Sequence, residues 1–294
     1  MAYDWAAGRS IPEGAFVSRA HLEVLKGWGL LASLALRRPR EFYDRVGGYV
    51  DLGLYLLSSG APPVYETVDW KDALRDLQER FGRGAESFLE EPALTEVEED
   101  TRRLLKDIRE SDPFNPRWAA DSVLARCCYL MCRLLEPDVV VETGVAYGVS
   151  SAFVLRALEA NGRGVLHSVD LPPLRHEYEG FWGIAVGGAS RGRWRLHRGA
   201  SGRLLPRLLE EVEPVDLFVH DSLHTYRNMR REFEMVWPRL RAGGALVADD
   251  VERSRAFGEL REKEPALWRV VRDRQERVLH EGAMPLATFG IVVK

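Results

Sequence analysis

The sequence predicts an α/β fold, a doubly wound and mostly parallel sheet preceded by a helical region. Three observations predict it. From Pro116 onward, apolar runs of four to six residues alternate with helical periodicity, the texture of strands buried on both faces. Residues 1 to about 112 carry only the three- and four-residue apolar spacing of helices. Acidic residues stand at the ends of several apolar runs, where open α/β sheets keep their ligand sites.

Each element can be justified in order. "HLEVLKGWGLLASLAL" and "EFYDRVGGYVDLGLYLL" have one apolar helical stripe each. Asp69 is the expected cap of "DWKDALRDLQERF", and Thr95 with Glu98 fits a capping box ahead of "VEEDTRRLLKDI". The proline-punctuated "SDPFNPR" marks a joint, so the chain is expected to divide into a helical region, 1–112, and a sheet domain, 113–294. There "WAADSVLARCCYLMCRLL" predicts a helix leading into the strand "DVVVE". A helix over 150–160, the strand "GVLHSVD" and a long irregular stretch (171–193) come next. "WRLHRG", a helix from Gly202, "VDLFVHD", a helix around 225–240 and "GGALVADD" follow. A helical segment and the strand "ATFGIVVK" close the chain.

Bulk properties exclude several classes. The net charge of −4 leaves no basic field to draw nucleic acid, so none is expected as partner. No stretch reads as a signal peptide, and "WGLLASLAL" is too short to span a bilayer. Cys127, Cys128 and Cys132 crowd into one segment, unlike a disulfide scaffold. Cys128 and Cys132 could bind metal one helical turn apart, but buried core thiols are the better reading. The expected location is cytoplasmic.

The strand "VVVE" ends in an acid and a glycine turn, E-x-G-x-x-x-G-x-S over 142–150. The glycines allow tight backbone and the next helix offers its N-terminus. Asp170 ends the second strand, where a carboxylate would meet a ribose hydroxyl pair. A dinucleotide enzyme would bunch glycines as G-x-G-x-x-G against a pyrophosphate, whereas an acid two residues before Gly144 suits a sulfonium or ammonium group.

"VVETGVAYGVSS", then "HSVD", then "PRLRAGGALVADD" resemble the class I S-adenosylmethionine-dependent methyltransferases over roughly residues 115–294. The resemblance implies a seven-stranded Rossmann-like sheet. It also implies a cofactor site of Glu142, Gly144, Tyr147, Gly148, Ser150, Asp170, Ser201 and Asp221. Many members carry an acid near the adenine where this chain has Ala200 and Ser201.

Asp221 ends the fourth strand, and Asp249 and Asp250 end the fifth. Adjacent parallel strands bring such ends to one rim, where carboxylates repel unless a cation such as Mg²⁺ lies between them. The spacing resembles the metal-dependent O-methyltransferases, including the catechol-type and antibiotic sugar enzymes and relatives named cephalosporin hydroxylases. That likeness implies metal ligands Asp221, Asp249 and Asp250, with Asp221 and His224 catalytic. His224 matches the catalytic lysine of the catechol-type enzymes and is expected to be the general base. His220 reads as structural.

The expected function is metal-assisted O-methyl transfer to a small diol-like acceptor. A non-methylating cofactor-binding protein is the alternative, with the helical region as an interaction module. That region could cap the pocket, form a homo-oligomer or bind a carrier. The 171–193 stretch has the length of a functional lid, and its Arg175, Tyr178 and Trp182 either line an acceptor pocket or pack on the surface.

Overall fold

A computed structural model describes residues 33–58, 62–82, 84–106, 108, 114, 120–274 and 286–294, plus a two-residue strand pair at 3–4 and 9–10. The chain parts into two compact units, 1–46 and 47–294. Helix α1 (Pro39–Ser58) begins in the first and ends in the second. Most of the helix expected at 21–36, and all of the 111–117 joint except Phe114, lie outside the described residues.

Within 47–294, helices α2 (Trp70–Phe81), α3 (Ala85–Leu89) and α4 (Pro92–Leu105) precede the sheet. Asp69 caps α2 as expected, its carboxylate accepting the Asp72 N–H. The Thr95–Glu98 capping box does not form. Helix α4 is capped at Glu91, four residues earlier, because Pro92 at its first turn has a backbone already set for helix and lacks only an N–H the helix does not use. Glu98 is instead buried and receives the Arg126 guanidinium.

The sheet has seven strands: β1 (Val139–Thr143), β2 (Val165–Asp170), β3 (Trp194–Arg198), β4 (Val215–His220), β5 (Leu240–Asp249), β6 (Leu267–Arg274) and β7 (Leu286–Val293). Their order is β3-β2-β1-β4-β5-β7-β6, with only β7 running antiparallel to its neighbours. The order reverses direction between β1 and β4, so a crevice opens beyond their C-terminal ends. The expected fold class therefore forms.

Strand β6 is absent from the sequence reading. "LWRVVRDR" interleaves arginines with its apolar residues because it lies at the sheet edge, pairing with β7 and bridged on its outer side by Val68 alone. That bridge, with Val68 N–H bonded to Val270 and Arg272 N–H to Val68, adds the N-terminal segment to the sheet unit.

Helices α5 (Ser122–Leu135), α6 (Val149–Asn161), α7 (Ser201–Val212) and α8 (Tyr226–Val236) cover the two faces, and a short α9 (Ala256–Glu259) follows β5. Asp121 starts α5 by accepting the Val123 and Leu124 N–H groups, both at 2.8 Å. The three cysteines on α5 are fully buried, and burial pushes their thiols up. None of the described helices is long and apolar enough to cross a membrane.

Candidate functional site

The glycine turn after β1 is held by the protein's own groups. Glu142 has no exposed surface, and its oxygens accept the hydroxyls of Ser150 (2.6 Å), Ser151 (2.6 Å) and Ser168 (2.7 Å). Burial raises its pKa against the pull of those hydroxyls. The acid expected to face a cationic ligand thus ties the helix α6 start to strand β2.

The glycines answer to nearby backbone. Gly144 has φ +85°, and a Cβ there would lie 1.9 Å from the Asp221 carbonyl oxygen. Gly148 has φ +80°, and a Cβ would lie 2.9 Å from Gly183 Cα. Only a glycine lets those chains pass so closely. Tyr147 is 1% exposed and donates its hydroxyl to the Phe114 carbonyl at 2.7 Å. Ser150 and Tyr147 therefore spend their polar atoms internally.

Asp170 stands at the end of β2 as expected, yet its carboxylate is already engaged. Oδ2 accepts the N–H groups of Val145 and Ala146 (3.1 Å each) and the Trp182 indole N–H (2.9 Å). Oδ1 accepts the Leu171 N–H at 2.8 Å. Burial raises this carboxyl even so, against those donors. The 171–193 stretch carries two short 3₁₀ turns, His176–Phe181 and Ala189–Arg193. It is fastened to the glycine turn by Gly183 N–H to Ala146 and Ala185 N–H to Tyr147, both at 2.9 Å. Arg198 on β3 grips Glu179 with two bonds, at 2.6 and 3.0 Å. Trp182 faces Asp170, and Arg175 lies over the Tyr178 ring at 6.0 Å.

The rim between β4 and β5 is different. His220 pairs with Ala248 in register, which sets Asp221 and Asp249 side by side one residue later. Burial first, then neighbouring acids, raises both carboxyls well above the usual carboxylate range. Their oxygens lie within 4.8 Å of each other, where two like charges repel unless a proton or a cation relieves them. His224 turns Nε2 toward Asp221 Oδ1 at 3.8 Å, and that nitrogen is buried without a hydrogen-bond partner. Burial, then His220 and Arg253, push its pKa well down.

Asp221, His224 and Asp249 each offer a ligand atom within 4.8 Å of the others. Crowded carboxylates beside an orphaned imidazole nitrogen fit a divalent cation. Asp250 stands outside that set. It takes a left-handed backbone (φ +50°) and turns its carboxylate to Arg253 Nε (2.8 Å) and to His224 Nδ1 (3.4 Å).

Behind the rim lies a network that sequence reasoning missed. Glu232 on α8 is fully buried and bonds to His220 Nδ1 (2.7 Å), Thr143 (2.6 Å), Ser222 (2.9 Å) and Asn228 (3.0 Å). Burial would raise its pKa, but His220 and the hydroxyls outweigh it and hold the carboxyl at about 2. Ser201, expected near an adenine, opens α7 with 9% exposure and reaches Glu232 as well. His220 packs at 5.3 Å edge-on against His224. The visible signal for Glu232 was slight, an acid in the charge-rich "YRNMRREFEMV" that reads as a solvated face.

Residues 141–251 match a family model described as a methyltransferase domain. Similar solved structures include the O-methyltransferase TomG from Streptomyces achromogenes in complex with SAM, 17% identical over 69% of this chain and 89% of that one, TM-score 0.47. Another is an O-methyltransferase from Bacillus cereus in complex with SAH, 17% identical over 69% and 91%, TM-score 0.47. MycE of the mycinamycin biosynthetic pathway, in complex with Mg and SAH, is 22% identical over 40% and 31%, TM-score 0.31. Likeness at these scores speaks to none of the site's chemistry. No curated protein matches the chain.

Proposed function

We propose, from the match of residues 141–251 to a methyltransferase-domain model, that the chain methylates a hydroxyl of a small diol-like acceptor. The acceptor class is a sugar, a polyol or a phenolic natural product, and a divalent cation assists. The observation that carries the reading is the meeting of Asp221, His224 and Asp249 at the rim. The cofactor turn touches that rim directly, because Gly144 packs on the Asp221 carbonyl.

S-adenosylmethionine would bring a methyl group already activated on sulfonium, leaving the protein to align the acceptor oxygen and ease the loss of its proton. A cation such as Mg²⁺ or Mn²⁺ would supply positive charge against a developing alkoxide. Asp221, His224 and Asp249 would hold it, with Asp250 orienting His224 through Nδ1. Asp170 would receive ribose hydroxyls once Trp182 leaves its carboxylate. A neutral His224 could instead take the acceptor's proton, and its unpartnered Nε2 supports this second reading equally in chemistry.

Adenosylhomocysteine formation with a panel of polyols and phenols tests transfer. No turnover with any member, despite cofactor binding, supports the non-methylating alternative. Activity that survives exhaustive EDTA treatment removes the cation from the reading. His224→Ala separates the two histidine roles: a ligand loses cation affinity, whereas a base loses roughly 10²–10⁴-fold in kcat and keeps it.

A further inference from the structure

We infer that Asp51, Tyr55 and Tyr65, outside the methyltransferase domain, are positioning residues that clamp the two loops bearing the cation site. The inference rests on the cation reading above and assigns a task to the end of α1 and the segment after it.

Side-chain hydrogen bonds from all three residues reach those loops. Asp51 is 9% exposed, and its Oδ2 accepts the Thr225 hydroxyl at 2.8 Å. Thr225 directly follows His224 and is 1% exposed. Its one hydroxyl hydrogen goes to Asp51, which leaves its oxygen to accept the Asn228 N–H (3.2 Å) as the cap of α8. Asn228 in turn donates to the Leu223 carbonyl at 3.0 Å. The backbone on both sides of His224 is thereby pinned, with Asp51 as the anchor from outside.

The second loop is held in the same way. Tyr55 stands four residues after Asp51, on the same helix face, and donates its hydroxyl to the Arg253 carbonyl at 3.0 Å. Arg253 is the residue whose guanidinium holds Asp250. Tyr65 donates to the Ser254 carbonyl (2.9 Å) and accepts the Gly258 N–H (3.1 Å). One side of the clamp thus sets the loop of Asp221 and His224, and the other sets the loop that follows Asp249 and Asp250. A carboxylate as buried as Asp51 is costly to keep for packing alone, and its bond to Thr225 places it one residue from a candidate ligand.

The test measures Mn²⁺ affinity by calorimetry on the full chain, with adenosylhomocysteine affinity as the control. Asp51→Ala is expected to weaken Mn²⁺ binding about 10-fold, the usual effect of an outer partner of a metal site, with adenosylhomocysteine affinity unchanged. Asp51→Asn, whose amide oxygen accepts the same hydroxyl, is expected to restore it. Tyr55→Phe should cost a few-fold by losing one hydrogen bond, and it serves should Asp51→Ala not fold. Hydrogen exchange at amides 222–228 should quicken in Asp51→Ala even without metal. Unchanged Mn²⁺ affinity and exchange overturn the clamp, as does an equal loss of adenosylhomocysteine affinity. A wild-type chain that binds no Mn²⁺ overturns the cation reading, while the exchange measurement still judges the clamp.

Discussion

The glycine turn at β1 and the acid rim at β4 and β5 are built from the same residue types and end in opposite states. At the turn, Glu142 and Asp170 have donors on every side, three hydroxyls for one and four N–H groups for the other. At the rim, Asp221 and Asp249 face each other, and the nearest imidazole nitrogen has no partner. A buried acid that is fully satisfied holds the chain in place, whereas one left unsatisfied marks where something else must come. The contrast leaves the first region's acids bonded to the protein's own groups and the second's crowded beside an unpartnered nitrogen, although the sequence motif is louder in the first.

The largest effect expected is on the Glu232 network that backs the rim. Glu232→Ala strands His220 and four further partners, which should cost roughly 3–5 kcal/mol in denaturant unfolding. Its carboxyl lies at about 2, below the free value of 4.5. The stability it gives is therefore complete above pH 4.5 and lost as pH falls toward 2. A variant as stable as the parent at pH 7 would remove Glu232 from the network.

Glu142→Ala should cost at least about 2 kcal/mol, because three buried hydroxyls lose a charged acceptor. Asp249→Asn sharpens the comparison by running the other way. It removes like-charge repulsion, so the metal-free chain should melt higher, while Mn²⁺ affinity should fall by more than about 10²-fold, beyond the usual cost of an outer partner. If Glu142→Ala and Asp249→Asn both destabilise the metal-free chain equally, the two regions do not differ in the way described.

The smallest effect is expected at Trp182. Trp182→Phe removes the indole donor from Asp170 and should tighten adenosylhomocysteine binding a few-fold, the scale of one hydrogen bond. Weaker binding in calorimetry would mean that the indole is a wall of the cofactor site and not a competitor for Asp170.

By itself the sequence determined the sheet and the places where chemistry could sit. Buried strands must be apolar along their whole length, so β1, β2, β4 and β5 stand out from the helices around them. Each ends at the rim where polar residues resume, which made Glu142, Asp170, Asp221 and Asp249 legible as strand-end acids. Edge strand β6 was not legible, since one side of it answers to solvent and its arginines break the apolar run. Only the tertiary structure decided which acids are spent and which are free. Ser168 reaches Glu142 because β2 pairs beside β1, and Trp182 reaches Asp170 because the connection folds back on the turn. Asp249 and Asp250 are adjacent in sequence, yet the left-handed turn at Asp250 sends one to the rim and the other to Arg253. Hydrogen-bond partners distant in the chain are fixed by strand register and loop path, and no local spacing encodes them.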